Sequence, residues 1–229
     1  MFNLGLADQK QQAVIQDYCD RAVSFIQEGE MLDAFNVWDE MLNGDVYPYP
    51  NYFHNITGSN DYDNILRTNA PAAWDPYADY LNSAATRSAI HVGAVPYGVN
   101  ASDCEHNLLA DFHQTMVPRL ETLLDADYKI VIYSGQLDVI IAPALTELFL
   151  PRVSWAGQQE YIDADRMVWR VESNDTEVAG FVRSVRNLTQ IVIRGAGHIC
   201  PADQPRRSYD MITRLVEDIP YKNEIDPSN

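Results

Sequence analysis

The sequence predicts an α/β fold whose sheet is incomplete within the chain. Three observations carry that reading. Two runs rich in β-branched residues, "KIVIYSG" and "QIVIRGAG", each stop at glycine. A half-alternating pair, "RMVWRVES" and "EVAGFVRSV", lies between them around "NDT" and reads as a hairpin. Amphipathic helical patterns precede, separate and follow these strands, which is the order of an α/β sheet end. Strands as apolar as 130–133 and 190–193 call for neighbours on both sides and cover on both faces, so one edge is left open.

The elements follow in order. Residues 7–28 place Val14, Ile15, Cys19, Ala22, Val23 and Ile26 at helical spacing, with Asp8 available as a cap. "GEMLDAFNVWDEMLNG" continues through Leu32, Phe35, Val37, Trp38, Met41 and Leu42 to a stop at Asn43-Gly44, so the two form a helical hairpin. "DVYPYPNYFHNITGSNDYDN" has no period and reads as an aromatic loop. A short helix over 81–93 ends at Gly93, and another over 107–125 is kinked or restarted at Pro118. After the first strand a helix is expected at about 142–150, and 205–219 closes the chain as an amphipathic helix. The expected division is a helical insertion or cap segment with its loop over 1–80, then a sheet-bearing core over 81–229.

The chain has 229 residues, 46% of them apolar, and can bury a core. Its formal charge of −17 excludes a phosphate-neutralising nucleic-acid binder and a polybasic membrane anchor. No stretch reaches the length of a membrane span. Three cysteines, Cys19, Cys104 and Cys200, cannot all pair within the chain. None forms C-x-x-C, and no histidines have metal-ligand spacing near a third ligand, so neither metal nor cofactor is expected. N-x-S/T sequons at Asn55, Asn100, Asn174 and Asn187 are candidate glycosylation sites and point to the secretory pathway. The start, "MFNLGLADQKQQ", has no signal-peptide h-region. Either the sequons are accidental or the true beginning lies upstream.

In open α/β sheets the reactive groups gather at the carboxyl ends of strands. Here Asp138 follows the first strong strand and His198 the second. Acid before histidine is the chain order of an α/β-hydrolase triad, in which the acid orients the imidazole and the imidazole moves the nucleophile's proton. Alone, Asp138 reads as a cap or loop acid and His198 as a structural histidine. Together, each at its own strand end, they read as a catalytic dyad. Gly195 and Gly197 are expected to let the backbone turn His198 up to the sheet's rim. Cys200 either lines the pocket or is a buried thiol, and burial is the favoured reading. The partner is missing: no G-x-S-x-G occurs, Ser59 and Ser134 lie in the wrong context, and Cys19 and Cys104 have no elbow around them.

"KIVIYSGQLDVIIAPALTE", "VSWAGQQEY", "VWRV" and "EVAGFVRSVRNLTQIVIRGAGHICPADQPRRSYDMITRLV" together resemble the C-terminal end of a serine carboxypeptidase, most similar to the vitellogenic-like members. The helical hairpin at 7–43, "YPNYFHNITG" and "RSAIHVG" fit the same group. The resemblance implies the C-terminal portion of an α/β-hydrolase fold with a helical insertion on its N-terminal side. It implies Asp138 as catalytic acid, His198 as catalytic histidine, and Trp155, Trp169 and Gly180 as structural positions. Pro201 and Asp203–Pro205 match the start of the last helix, while Ile199 and Cys200 depart from the usual Met or Thr and Val. The family's G-E-S-Y-A-G and W-N-G-G-P-G segments are absent. The resemblance therefore implies a nucleophilic serine upstream of Met1, a signal peptide upstream too, and a lysosomal or extracellular destination. It further implies a peptide substrate with a free C-terminus and a missing N-terminal half as partner. A truncated, inactive product that binds peptides or a partner is the alternative. Oligomeric state stays open, a homodimer included.

Overall fold

A computed structural model describes residues 1–44, 50–72, 76–98 and 101–221, apart from the side chains of 101 and 102. The chain divides into two units, one of Met1–Asp61 with Arg67–Gln114 and one of Tyr62–Leu66 with Thr115–Asn229.

The first unit is helical. Helix α1 spans Gln9–Glu28, and Asp8 opens it with a reciprocal capping box: its carboxylate accepts from Gln11 N at 2.8 Å while the Gln11 side chain accepts from Asp8 N at 2.7 Å. Helix α2, Met31–Trp38, packs against α1 as the expected hairpin and continues as a π-helical turn, Asp39–Asn43, that stops at Gly44. Ala34, Phe35, Val37, Met41 and Leu42 are buried, whereas α1 buries no residue. The aromatic loop is in part a helix. Helix α3, Tyr52–Thr57, is capped by Asn51, whose side chain accepts from His54 N and donates to Leu42 O and Asn43 O. Residues 45–49 of that loop lie outside the described residues. The helix expected over 81–93 is two, α4 (Tyr77–Asn82) and α5 (Ala84–Ala89), because Ser83 is extended and caps α5. The helix over 107–125 is also interrupted. Helix α6 (Ala101–Leu108) ends early, and α7 (Val117–Asp125) restarts with Pro118 in its first turn, where a missing N–H costs nothing. The boundary differs from the expected 80/81. Phe112 and His113 stack on Phe35 and Trp38, with Trp38 and Phe112 centroids 4.8 Å apart, which draws residues up to 114 into the helical unit.

The second unit holds the sheet. Its strands are β1 (Ile130–Gly135), β2 (Met167–Trp169), β3 (Gly180–Val185) and β4 (Leu188–Ile193), in the order β1-β4-β3-β2. β1 and β4 run parallel in the register Ile130↔Leu188 to Gly135↔Ile193, while β3 pairs antiparallel with β4 and with β2, the expected hairpin. Helices α8 (Pro143–Phe149) and α9 (Gln158–Asp163) join β1 to β2, and α10 (Cys200–Asp203) and α11 (Pro205–Glu217) follow β4. One side of the sheet buries Trp169, Val182, Ile191, Ile193, Cys200 and Met211. The other buries Leu124, Leu150, Val153, Trp155, Tyr161 and Leu188. Trp155 and Trp169 are thus core residues, and Trp169 Nε1 donates to Asp210 at 2.8 Å. The open edge that the sequence predicts is β1. Its first three residues are half-buried and Tyr133 is 46% exposed, because β4 is its one partner among the described residues, so this apolar run is a partly covered strand and not a fully buried one.

Candidate active site

Parallel pairing fixes what the site can contain. β1 and β4 end level, at Gly135 and Ile193, so the loops that follow leave the sheet side by side. Gln136 N donates to Ile193 O at 3.0 Å and Leu137 N to Ala196 O at 2.7 Å, tying the two loops together at their base. Gly195, at φ 74°, lies in the left-handed region that glycine enters without strain and reverses the chain after β4. Gly197 does not share that conformation. Its lack of a side chain serves close approach instead, as a Cβ there would sit 2.2 Å from Asp63 O.

These loops bring Asp138 and His198 together. Asp138 Oδ2 lies 3.0 Å from His198 Nδ1, and Asp138 Oδ1 accepts from Ile141 N at 2.9 Å. Asp138 is 3% exposed, so both carboxylate oxygens are spent on partners. The imidazole side chain is 39% exposed. Its pKa is raised above the ordinary histidine value, first by the Asp138 hydrogen bond and then by the charges of Asp138 and Asp63, against partial desolvation. A carboxylate on Nδ1 fixes the tautomer that leaves Nε2 free to accept a proton, and stabilises the imidazolium that results. The start of the last helix supports the histidine loop: Gln204 Nε2 donates to Gly195 O at 3.0 Å, Arg207 to Arg194 O, and Gly197 N to Asp203 Oδ2 at 2.7 Å.

Cys200 is a buried thiol. Its Sγ donates to Gly197 O at 3.2 Å, and burial, with Asp138 and Asp203 nearby, pushes its pKa up to about 12. It is inert as a nucleophile at neutral pH. Cys19 and Cys104 are exposed and unpaired. Among the described residues no group of His, Cys, Asp or Glu could hold a metal ion, and no helix is long and apolar enough to cross a membrane. Asn55 and Asn174 are exposed, and Asn100 lies outside the described residues. The Asn187 amide nitrogen is already engaged, donating to Leu124 O and Tyr128 O at 2.9 Å each. One part of the site was not foreseen. Tyr62–Leu66, far away in sequence, packs into the loops around Asp138 and His198. A polar, aperiodic stretch carries no signal that could have found it.

Asp138 and His198 thus meet at the ends of adjacent parallel strands, a geometry in which a histidine can exchange a proton while an acid orients it. The chain belongs to the serine carboxypeptidase family, which matches residues 1–218. It is 40% identical over 218 residues to the "Probable serine carboxypeptidase CPVL" of Mus musculus, covering 95% of this chain and 45% of that protein. The venom serine carboxypeptidase of Apis mellifera is 35% identical, over 94% of this chain and 46% of its own length. The vitellogenic carboxypeptidase of Aedes aegypti is 31% identical, over 94% and 45%. The chain thus spans about half the length of the curated relatives it matches. The crystal structure of Kex1(delta)p, a prohormone-processing carboxypeptidase from Saccharomyces cerevisiae, shares the fold with a TM-score of 0.72 at 15% identity. That match covers 95% of this chain and 50% of the other, and identifies the fold as part of the α/β-hydrolase fold.

Proposed function

We propose that this chain supplies the acid and the base of a serine-type carboxypeptidase, with the nucleophilic serine contributed from outside these residues. The observation that carries the reading is the 3.0 Å bond between Asp138 and the half-exposed His198 at neighbouring strand ends. In the reaction, the serine Oγ attacks the carbonyl of the peptide's last bond while His198 Nε2 takes its proton. Asp138 stabilises the imidazolium, which then returns the proton to the leaving amine, releasing the C-terminal residue. Water, deprotonated in turn by His198, hydrolyses the acyl-enzyme and restores the serine. Neither step uses a cofactor.

Three further features support a missing complement. β1 has one partner among the described residues. Leu145 and Leu148 on α8, and Tyr209 and Val216 on α11, leave large apolar side chains in water, Val216 at 77% exposure. The relatives are about twice as long. The exposed sequons and a relative named for venom support a secretory destination, lysosomal or extracellular. A second reading, an inactive product that binds a peptide or partner, is supported by the same exposed apolar side chains on α8 and α11.

The test joins or co-expresses the chain with a family N-terminal half carrying G-x-S-x-G and measures release of C-terminal residues from peptides. Hydrolysis that falls about 10⁴-fold in Asp138→Asn, and at least as far in His198→Ala, is expected for a triad whose orienting acid or base is lost. Hydrolysis untouched by both substitutions rejects the dyad. Assembly without hydrolysis transfers support to the binding reading.

A further inference from the structure

The β1 and β4 ladder stops at Gly135 and Ile193, and the pair that matters lies beyond it. The direct backbone links between the loops are at Gln136 and Leu137, before Asp138 is reached. Past that point a separate piece of chain takes over. Tyr62 O accepts from Val139 N and Ile140 N at 3.2 and 3.3 Å, and Ile65 N donates to Leu137 O at 2.9 Å, so Asp138 is held on both flanks. Asp63 O accepts from His198 N at 2.7 Å. Asn64 Nδ2 donates to Asp203 Oδ2 at 2.9 Å, and the same oxygen receives Gly197 N at 2.7 Å.

We infer that Tyr62–Leu66 is a positioning strap for the acid–base pair, with Asn64 on the Asp203 carboxylate as its polar lock. The inference rests on the function proposed for Asp138 and His198. Its physical basis is that two loops leaving a sheet edge have no ladder to fix their spacing, whereas a third segment bonded to both does. The fit is close. A Cβ on Gly197 would meet Asp63 O at 2.2 Å and Asn64 Cβ at 2.7 Å, so the strap sits where only a glycine leaves room. Asn64 is buried, which makes its amide bond to Asp203 costly to leave unmade. Asn64 touches no reacting atom. It acts by holding Gly197, and through it the ring of His198, against Asp138.

The test titrates His198 by NMR in the 229-residue chain, with Asp138→Asn as reference and His198→Gln to assign the signal. Besides the Asp138 bond, the Asp63 charge faces this ring, and it is kept in every strap variant. Asn64→Ala removes the lock without changing charge, and Gly197→Ala wedges the strap away. Each is expected to lower the His198 pKa by at least about half the fall seen in Asp138→Asn. A variant that keeps its near-UV circular dichroism, melts earlier and leaves the His198 pKa untouched shows a merely structural segment and overturns the inference. The unmodified chain gives a reading that needs no variant. Amide exchange at His198 and Ile65 is expected to be slow and matched, and fast exchange at His198 overturns the strap. None of these readouts uses substrate, so failed hydrolysis in the assembled enzyme would count against the proposed function and leave this result standing.

Discussion

β1 and β4 are written in nearly the same alphabet and live in different places. They pair residue for residue, from Ile130↔Leu188 to Gly135↔Ile193. β4 buries Leu188, Gln190, Ile191, Val192 and Ile193, whereas β1 leaves Ile130, Val131 and Ile132 half-buried and Tyr133 exposed. The difference is in their neighbours. β4 has β1 on one side and β3 on the other, while β1 has β4 alone among the described residues. An apolar run therefore states what a strand needs, and the rest of the molecule decides whether the need is met.

The largest effect should come from the buried partner. Ile191→Ala opens a cavity in the core that holds Val182, Ile193 and Met211, and is expected to cost about 2–5 kcal/mol in urea unfolding. Tyr133→Ala on the edge strand should stay within about 0.5 kcal/mol. Equal losses would mean that β1 is as well covered as β4 in solution, and the contrast between the strands would fall.

A smaller effect is expected where the two strands are joined. Asn187, in the turn before β4, donates to Leu124 O and Tyr128 O, and its own carbonyl accepts from Ile130 N at 2.8 Å. It ties the entry of the edge strand to the buried one. Asn187→Ala should cost about 1–2 kcal/mol, two hydrogen bonds' worth, and speed amide exchange in β1 more than in β4. Uniform acceleration would show that the edge strand has no separate stability to lose.

What could be read from the sequence was local or periodic. Asp8 and Gln11 cap α1 because the whole box lies within four residues, and Gly44 stops its helix by the same kind of short-range rule. Asp138 and His198 were legible because each follows a strand that announces itself, and parallel pairing then brings such ends together. The misses have physical causes. Helices α3 and α9 are six residues each, too short for a period to show, and Asn51 stabilises α3 from a loop-like context. The strap was invisible because Asn64 and Asp203 lie 139 residues apart and neither sits in a pattern that names the other. That an edge is left open was legible, but that β1 is the strand lying there was not, because it depends on a neighbour that no residue of β1 encodes.

The smallest effect tests whether the two strand ends stay together in solution. His198 leaves the end of the buried strand and Asp138 the end of the edge strand, so their bond spans the same contrast. That bond raises the histidine's pKa in the folded chain above its ordinary value of 6.5. A group held that way binds its proton more tightly when folded. Its contribution to stability is therefore complete below the unfolded value and fades as pH rises through the higher folded one. The ring is 39% exposed, so solvent screening keeps the effect small. Unfolding free energies measured between about pH 5 and pH 9 for the wild type, less those for His198→Gln, should decline toward the alkaline side. The same difference measured in an Asp138→Asn background should lose most of that slope. A flat wild-type difference would mean that the edge strand's loop drifts from the buried strand's in solution, and that the Asp138–His198 bond is not kept there.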